Sequence, residues 1–365
     1  KSGRNSTYPS CSNFPNHLST SLASFSWTRD HLLLNVMEDV KNRIVVLTPD
    51  ANGWEHRRLA GISQLGTVSV EAVDPDDSDA IWLTVTDYLT PTNLLLGSAA
   101  DDTSPETLKS QPAFFNGATH DVHQHFATSK DGTRVPYFLV RPKDLAFDGT
   151  TPTLLYGYGG FEIWLTPAYS GGVGKAWLEK GGVYAVANIR GGGEYGPRWH
   201  RAALKQNRHK AYEDFAAVAL DLIERRITSP RHLGIRGGSN GGLLTGNMLV
   251  QYPELFGAVV IEVPLLDMQR YHELLAGASW IAEYGNPEVP DEWEYIRTFS
   301  PYHLFDPDKS YPPTILLTLT RDDRVHPGHA RKMHALMRAA ETDVLYYENI
   351  EGGHGGQLTT GRPPT

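Results

Sequence analysis

Cysteine is almost missing from this chain. One residue, Cys11, occurs in 365, which excludes an internal disulfide and permits a cytosolic setting. No apolar run approaches the roughly 20 residues that cross a bilayer. No basic start followed by an apolar core is visible, so no secretory signal is read. The chain opens Lys1-Ser2-Gly3 without an initiating methionine. The expected compartment is the cytoplasm, or the periplasm if a preceding segment carried a signal. The formal net charge of −9 lacks the basic surplus that a nucleic-acid surface needs. The Gly-rich runs at 157–160 and 191–193 do not give G-x-G-x-x-G between a strand and a helix, so they read as turns, not a nucleotide cradle. No cofactor and no metal is expected. His120, His123 and His125 lack a cysteine or acidic partner cluster and read as interdomain linker residues. What remains is 40% hydrophobic and 21% charged, an ordinary globular composition in a chain long enough for two domains.

The most informative run is Gly237-Gly238-Ser239-Asn240-Gly241-Gly242. It follows a short strand-like segment, Leu233–Arg236, and precedes an apolar helical stretch, Leu243–Val250. Strand, G-x-S-x-G, helix is the context of a nucleophile elbow. Flanking glycines let the chain turn sharply, so the serine hydroxyl stands clear of the backbone. The Asn240 N–H then opens the helix, where the helix dipole favours a developing oxyanion.

On such a fold an acid and a histidine follow the serine in that order. The buried-strand pattern of Tyr311–Thr320 leads into Arg321-Asp322-Asp323-Arg324-Val325-His326-Pro327. A second strand pattern, Val344–Asn349, leads into Gly352-Gly353-His354-Gly355. The order Ser239, Asp322, His354 fits, and each follows a strand, where open α/β sheets collect their reactive groups. His354 would take the serine proton and return it to the leaving amine. An aspartate would hold the imidazole in one tautomer. From the residues alone Asp322 and Asp323 both fit the acid. His326 and His329 compete for the base but read better within a helix beginning near Pro327.

These segments resemble the prolyl oligopeptidase family of serine peptidases. The resemblance rests on Leu154–Phe161 (LLYGYGGF), Ala185–Gly196 (AVANIRGGGEYG), the GGSNGG turn, Asp322–Val325 (DDRV) and Gly353-His354-Gly355. It runs from about residue 126 to about residue 356. It implies that Ser239, Asp322 and His354 are nucleophile, acid and base. Tyr158 would be the second oxyanion donor beside the Asn240 N–H, since a neutral phenol donates a strong hydrogen bond. Arg324 would bind the peptide carbonyl one residue before the scissile position. Trp280 would stack on a proline ring, with Phe161, Leu265, Tyr284 and Val325 as further walls. Leu265 is bulkier than the valine expected there. The implied activity is hydrolysis of short peptides on the carboxyl side of proline through an acyl-enzyme on Ser239. Oligopeptidase B-like relatives cleave after basic residues and need acidic pocket residues, for which Glu283 is the nearest candidate. An esterase on the same fold, or an inactive fragment acting at most as a binding module, are the other readings.

The implied fold class is α/β: an α/β-hydrolase with a mostly parallel sheet flanked by helices. Residues 116–365 would form it. Residues 1–115 read instead as all-β. Strand-like runs at His31–Met37, Arg43–Leu47, Val68–Val73, Ala80–Val85 and Asn93–Leu96 are separated by Asp/Pro/Asn/Gly turns. The family places a β-propeller there, over the active site, and this segment has room for about two blades of the usual four to eight. The chain therefore reads as incomplete at both ends, with most of the propeller and a closing C-terminal helix missing. Exposed propeller edges imply self-association. Phe126–Val140 reads as a hairpin turning at Asp131-Gly132. Tyr212, Phe215, Val218, Ala219, Leu222 and Ile223 share one face of a helix over Tyr212–Ile227, which is scaffold.

Overall fold

A computed structural model describes residues 20–51, 53–61 and 65–354. Cys11, Gly355 and the expectations about the chain ends fall outside them. The chain divides into two compact units. One runs to Ala113 and takes in Thr166–Ser170; the other comprises Phe114–Leu165 and the chain from Gly171 onward. Among the described residues no helix is long and apolar enough to cross a membrane.

The first unit holds two four-stranded antiparallel meanders. One is β1 (Thr20–Trp27), β2 (Leu32–Glu38), β3 (Lys41–Asp50) and β4 (Gly53–Arg58). The other is β5 (Thr67–Ala72), β6 (Ala80–Thr86), β7 (Asn93–Ser98) and β8 (Glu106–Ser110). Each has the form of a propeller blade. In β2 every second side chain is buried, the signature of a strand with one face on a core. Leu33, Ile44 and Val46 of the first sheet share that core with Val68, Val70, Ile81 and Leu83 of the second. Asn35 Nδ2 donates to the Val68 carbonyl at 2.8 Å and Thr28 Oγ1 to Asp79 Oδ1 at 2.8 Å, so the ties between the sheets are also polar.

The second unit is built on one eight-stranded sheet in the order β16-β15-β14-β13-β11-β12-β10-β9. Its strands are β9 (His120–Thr128), β10 (Arg134–Pro142), β11 (Thr153–Gly157), β12 (Val183–Ala187), β13 (Leu233–Gly238), β14 (Ala258–Glu262), β15 (Thr314–Leu319) and β16 (Val344–Asn349). The run from β12 through β11 to β16 is parallel, and β10 and β9 complete it as an antiparallel hairpin. This is the α/β-hydrolase architecture expected. The histidines expected in a linker are instead part of β9. His125 pairs with Tyr137 and His123 with Leu139, and Arg141 Nη2 contacts His123 Nε2 at 3.0 Å. Their polar side chains hid a strand whose stability comes from its ladder with β10.

The helix His209–Glu224 buries Tyr212, Phe215, Val218, Ala219 and Leu222, the expected face. It ends at Glu224, three residues before Ile227. Burying each large apolar side chain contributes about 1.5–3 kcal/mol. The helix Asn240–Gln251 is buried from Asn240 to Val250. It anchors the turn before it to the centre of the sheet. The helix Gly328–Ala339 begins just after Pro327, as the sequence suggested.

Candidate active site

Parallel strands place their C-terminal ends along one edge, so the loops after β11, β13, β15 and β16 share that edge. Gly238 of β13 pairs with Glu262 of β14, and Ser239 is the next residue. Its N–H donates to the Glu262 carbonyl at 2.9 Å. Ser239 has φ 58° and ψ −118°, a conformation that side chains rarely adopt. It precedes the helix Asn240–Gln251 without capping it through its side chain, which leaves the hydroxyl for chemistry. The turn is too tight for anything but glycine at 237, where a Cβ would lie 2.2 Å from the Gly241 carbonyl oxygen.

Tyr158 follows β11, the neighbour of β13, and its phenol feels the Ser239 side chain. Burial raises the Tyr158 pKa; the Ser239 side chain and the charges of Arg208 and Arg324 oppose that rise. The phenol is therefore neutral at physiological pH and able to donate. Asn240 is fully buried. Its Nδ2 donates to the Tyr158 carbonyl at 2.6 Å, and its Oδ1 accepts from Tyr284 Oη at 2.8 Å and from Arg208 Nη2. Gly160 keeps this packing possible, because a Cβ there would come within 2.6 Å of Asn240 Nδ2.

Asp322 and His354 come from farther along the sheet. β16 is the third strand from β13, about 14 Å away at the usual strand spacing. Ile350–His354, five residues, can reach about 17 Å when extended, so His354 can turn back over β15. There His354 Nδ1 lies 2.7 Å from Asp322 Oδ2. Asp322 Oδ1 accepts the Arg324 and Val325 N–H groups, each at 2.9 Å. The carboxylate is buried and has no freedom to turn away. Of the two adjacent aspartates, Asp322 makes this contact and Asp323 is exposed. Arg324 links the two halves of the site: its N–H is held by Asp322 and its charge acts on Tyr158.

The apolar residues gather nearby. Phe161 meets Trp280 edge-on at 6.4 Å and Tyr284 edge-on at 5.6 Å between ring centroids. Leu265, Trp280, Tyr284 and Val325 are buried in one cluster, with Phe161 packed against it. Beneath lies a charged network that the sequence did not reveal. Glu283 is buried, and its carboxylate engages Arg208 Nη1 at 2.9 Å, the Phe161 N–H at 3.0 Å and His200 Nε2 at 2.7 Å. Its carboxylate is thus engaged from within the domain. Arg208 sits in Lys205-Gln206-Asn207-Arg208-His209-Lys210, which reads as a solvated stretch; only the tertiary fold buries it.

His329, set aside as a helix residue, supports the Leu265 wall from behind. Its Nδ1 faces the N–H groups of Leu266 at 3.3 Å and Asp267 at 3.1 Å. Burial lowers its pKa from 6.5 to about 4. Because the folded value is depressed, His329 favours folding above pH 6.5, and that contribution is lost as pH falls toward about 4. Wild type should lose at most about 3 kcal/mol relative to His329→Gln across this window. Denaturant unfolding of both proteins at several pH values checks this; parallel curves would contradict it.

Residues 170–362 match the sequence profile of the Prolyl oligopeptidase family. The chain is 49% identical to the uncharacterized peptidase y4nA of Sinorhizobium fredii, over 92% of this chain and 46% of that protein. It is 39% identical to a prolyl endopeptidase of Elizabethkingia miricola, over 77% of this chain and 40% of that one. Its fold matches a post-proline cleaving enzyme from Rickettsia typhi with TM-score 0.85 and 36% identity, over 93% of this chain and 49% of that structure. The chain thus spans about half the length of the relatives it matches.

Proposed function

The chain belongs to the prolyl oligopeptidase family, and on that premise we propose that it hydrolyses peptide bonds following proline through an acyl-enzyme on Ser239. The observation that carries this reading is the 2.7 Å contact of His354 Nδ1 with Asp322 Oδ2 at the same sheet edge as the strained Ser239. With Nδ1 held, Nε2 of His354 is the nitrogen that takes the Ser239 proton as Oγ attacks the carbonyl carbon. The carbonyl oxygen becomes an oxyanion between the Asn240 N–H and the Tyr158 hydroxyl. The imidazolium then protonates the amine, which leaves. Water repeats the cycle to release the acid and restore Ser239. Arg324 donates to the carbonyl one residue before the scissile position. Phe161, Trp280 and Tyr284 offer flat apolar surfaces to a pyrrolidine ring. With Glu283 engaged by Arg208, its carboxylate is not free to pair with a basic side chain.

A blocked Gly-Pro amide should be cleaved at least about 100-fold faster, in kcat/KM, than the matching arginine amide. Trp280→Ala should lower turnover of the proline amide by about 10- to 100-fold and change that of a small activated ester far less. Equal losses on both substrates would make Trp280 a structural residue only.

A further inference from the structure

His272 is a part-buried histidine, both ring nitrogens shielded from solvent, that the hydrolytic site does not use. Its side chain is 10% exposed, and among the described residues neither ring nitrogen has a hydrogen-bond partner. A buried polar group without a partner is rare and calls for a cause. Nε2 lies 3.5 Å from Glu288 Oε1, without hydrogen-bond geometry. Glu273 is the next residue, and single donor atoms of His272, Glu273 and Glu288 all lie within 4.8 Å of one another. Both glutamates are exposed and can swing, while the histidine is fixed by its burial.

We propose that His272, Glu273 and Glu288 bind a divalent transition-metal cation of the zinc type. One imidazole nitrogen and two carboxylate oxygens are a donor set that Zn²⁺ accepts at about 2.0–2.2 Å, with a further position left for water. Binding would draw the two exposed glutamates inward to those distances. The earlier expectation of no metal weighed only the histidines of β9.

The backbone already holds the donors in register. His272 and Glu273 belong to the 3-10 turn Tyr271–Glu273, and the Glu273 N–H donates to the Arg270 carbonyl at 3.1 Å. The Tyr271 hydroxyl donates to the Gly285 carbonyl, and Asn286 Oδ1 accepts the Glu288 N–H at 3.0 Å. An ion at this point would clip residues 272–288 into a closed loop. That loop carries Trp280, Glu283 and Tyr284, so the ion would restrain the aromatic wall from outside without touching Ser239. The proposal does not depend on the hydrolytic reading.

The test is titration of the metal-stripped full chain with zinc chloride against a chromophoric chelator, repeated with Co²⁺ to read its visible ligand-field bands. Wild type should bind one equivalent saturably. Glu273→Gln and Glu288→Gln, both surface changes, should each weaken binding by about 10-fold or more and alter the Co²⁺ spectrum. Unchanged binding in either variant overturns the three-residue site, as does the absence of saturable binding by wild type. An intact far-ultraviolet spectrum for each variant separates donor loss from misfolding.

Discussion

Alanine at position 239 should reduce kcat/KM on a blocked Gly-Pro amide by about 10⁴- to 10⁶-fold. The size follows from the proposed mechanism, in which serine and histidine act as a unit: without Oγ no acyl-enzyme would form, and only binding and the oxyanion donors would remain. The fold should not change, because alanine meets the same backbone penalty at φ 58° that serine does. Glycine at 239 separates the two effects. It should also abolish turnover, yet raise stability by up to about 1 kcal/mol by relieving the positive φ. Residual turnover above a few percent in Ser239→Ala would show that another group performs the attack. Labelling of wild type, but not Ser239→Ala, by a fluorophosphonate would identify the nucleophile independently of substrate choice.

Arg208→Met should cost about 3–5 kcal/mol of stability, the range seen when one partner of a buried ion pair is removed. Arg208 is 1% exposed, and Glu283 opposite is 4% exposed. Taking away the guanidinium leaves that carboxylate, among the described residues, facing His200 and the Phe161 N–H. It also removes a donor from Asn240 Oδ1, which would then rely on the Tyr284 hydroxyl. Turnover should fall with stability, since Asn240 and Phe161 both lose their support. Adding Glu283→Gln to Arg208→Met removes the stranded charge and should recover a substantial part of the loss, a coupling that a double-mutant cycle measures. A loss under about 1 kcal/mol for Arg208→Met would mean that the pair is no more than a surface-like contact.

The parts of this molecule that were legible in the sequence are those written in short local patterns. Ser239 stood out because Gly237, Gly238, Gly241 and Gly242 surround it between a strand and a helix. Asp322 and His354 stood out because each closes a strand pattern, and the fold brings them to 2.7 Å. The helix His209–Glu224 was legible from the spacing of Tyr212, Phe215, Val218 and Leu222. The edge strands β4 and β8 were not, because edges carry little of the inward alternation that marks a strand; every residue of β8 is exposed. The Arg208–Glu283 pair lay beyond reach for another reason. Its members are 75 residues apart, and nothing local distinguishes a charge destined for burial from one destined for water.

Among the described residues, β16 is the outermost strand of its sheet and pairs only with β15. Leu345 and Tyr347 on it are 64% and 49% exposed. The proposed proton acceptor thus hangs from the margin of the sheet, while the turn that carries the proposed nucleophile rests on β13 at its centre. Marginal strands open at lower free energy than central ones. The two halves of the site should therefore open at different rates. Fraying of β16 would carry His354 off Asp322 and silence the chemistry with the rest of the domain still folded. Amide hydrogen exchange should then show β16 opening in step with loss of turnover in mild denaturant, ahead of β13. Simultaneous exchange of the two strands would show that the domain instead opens as one body.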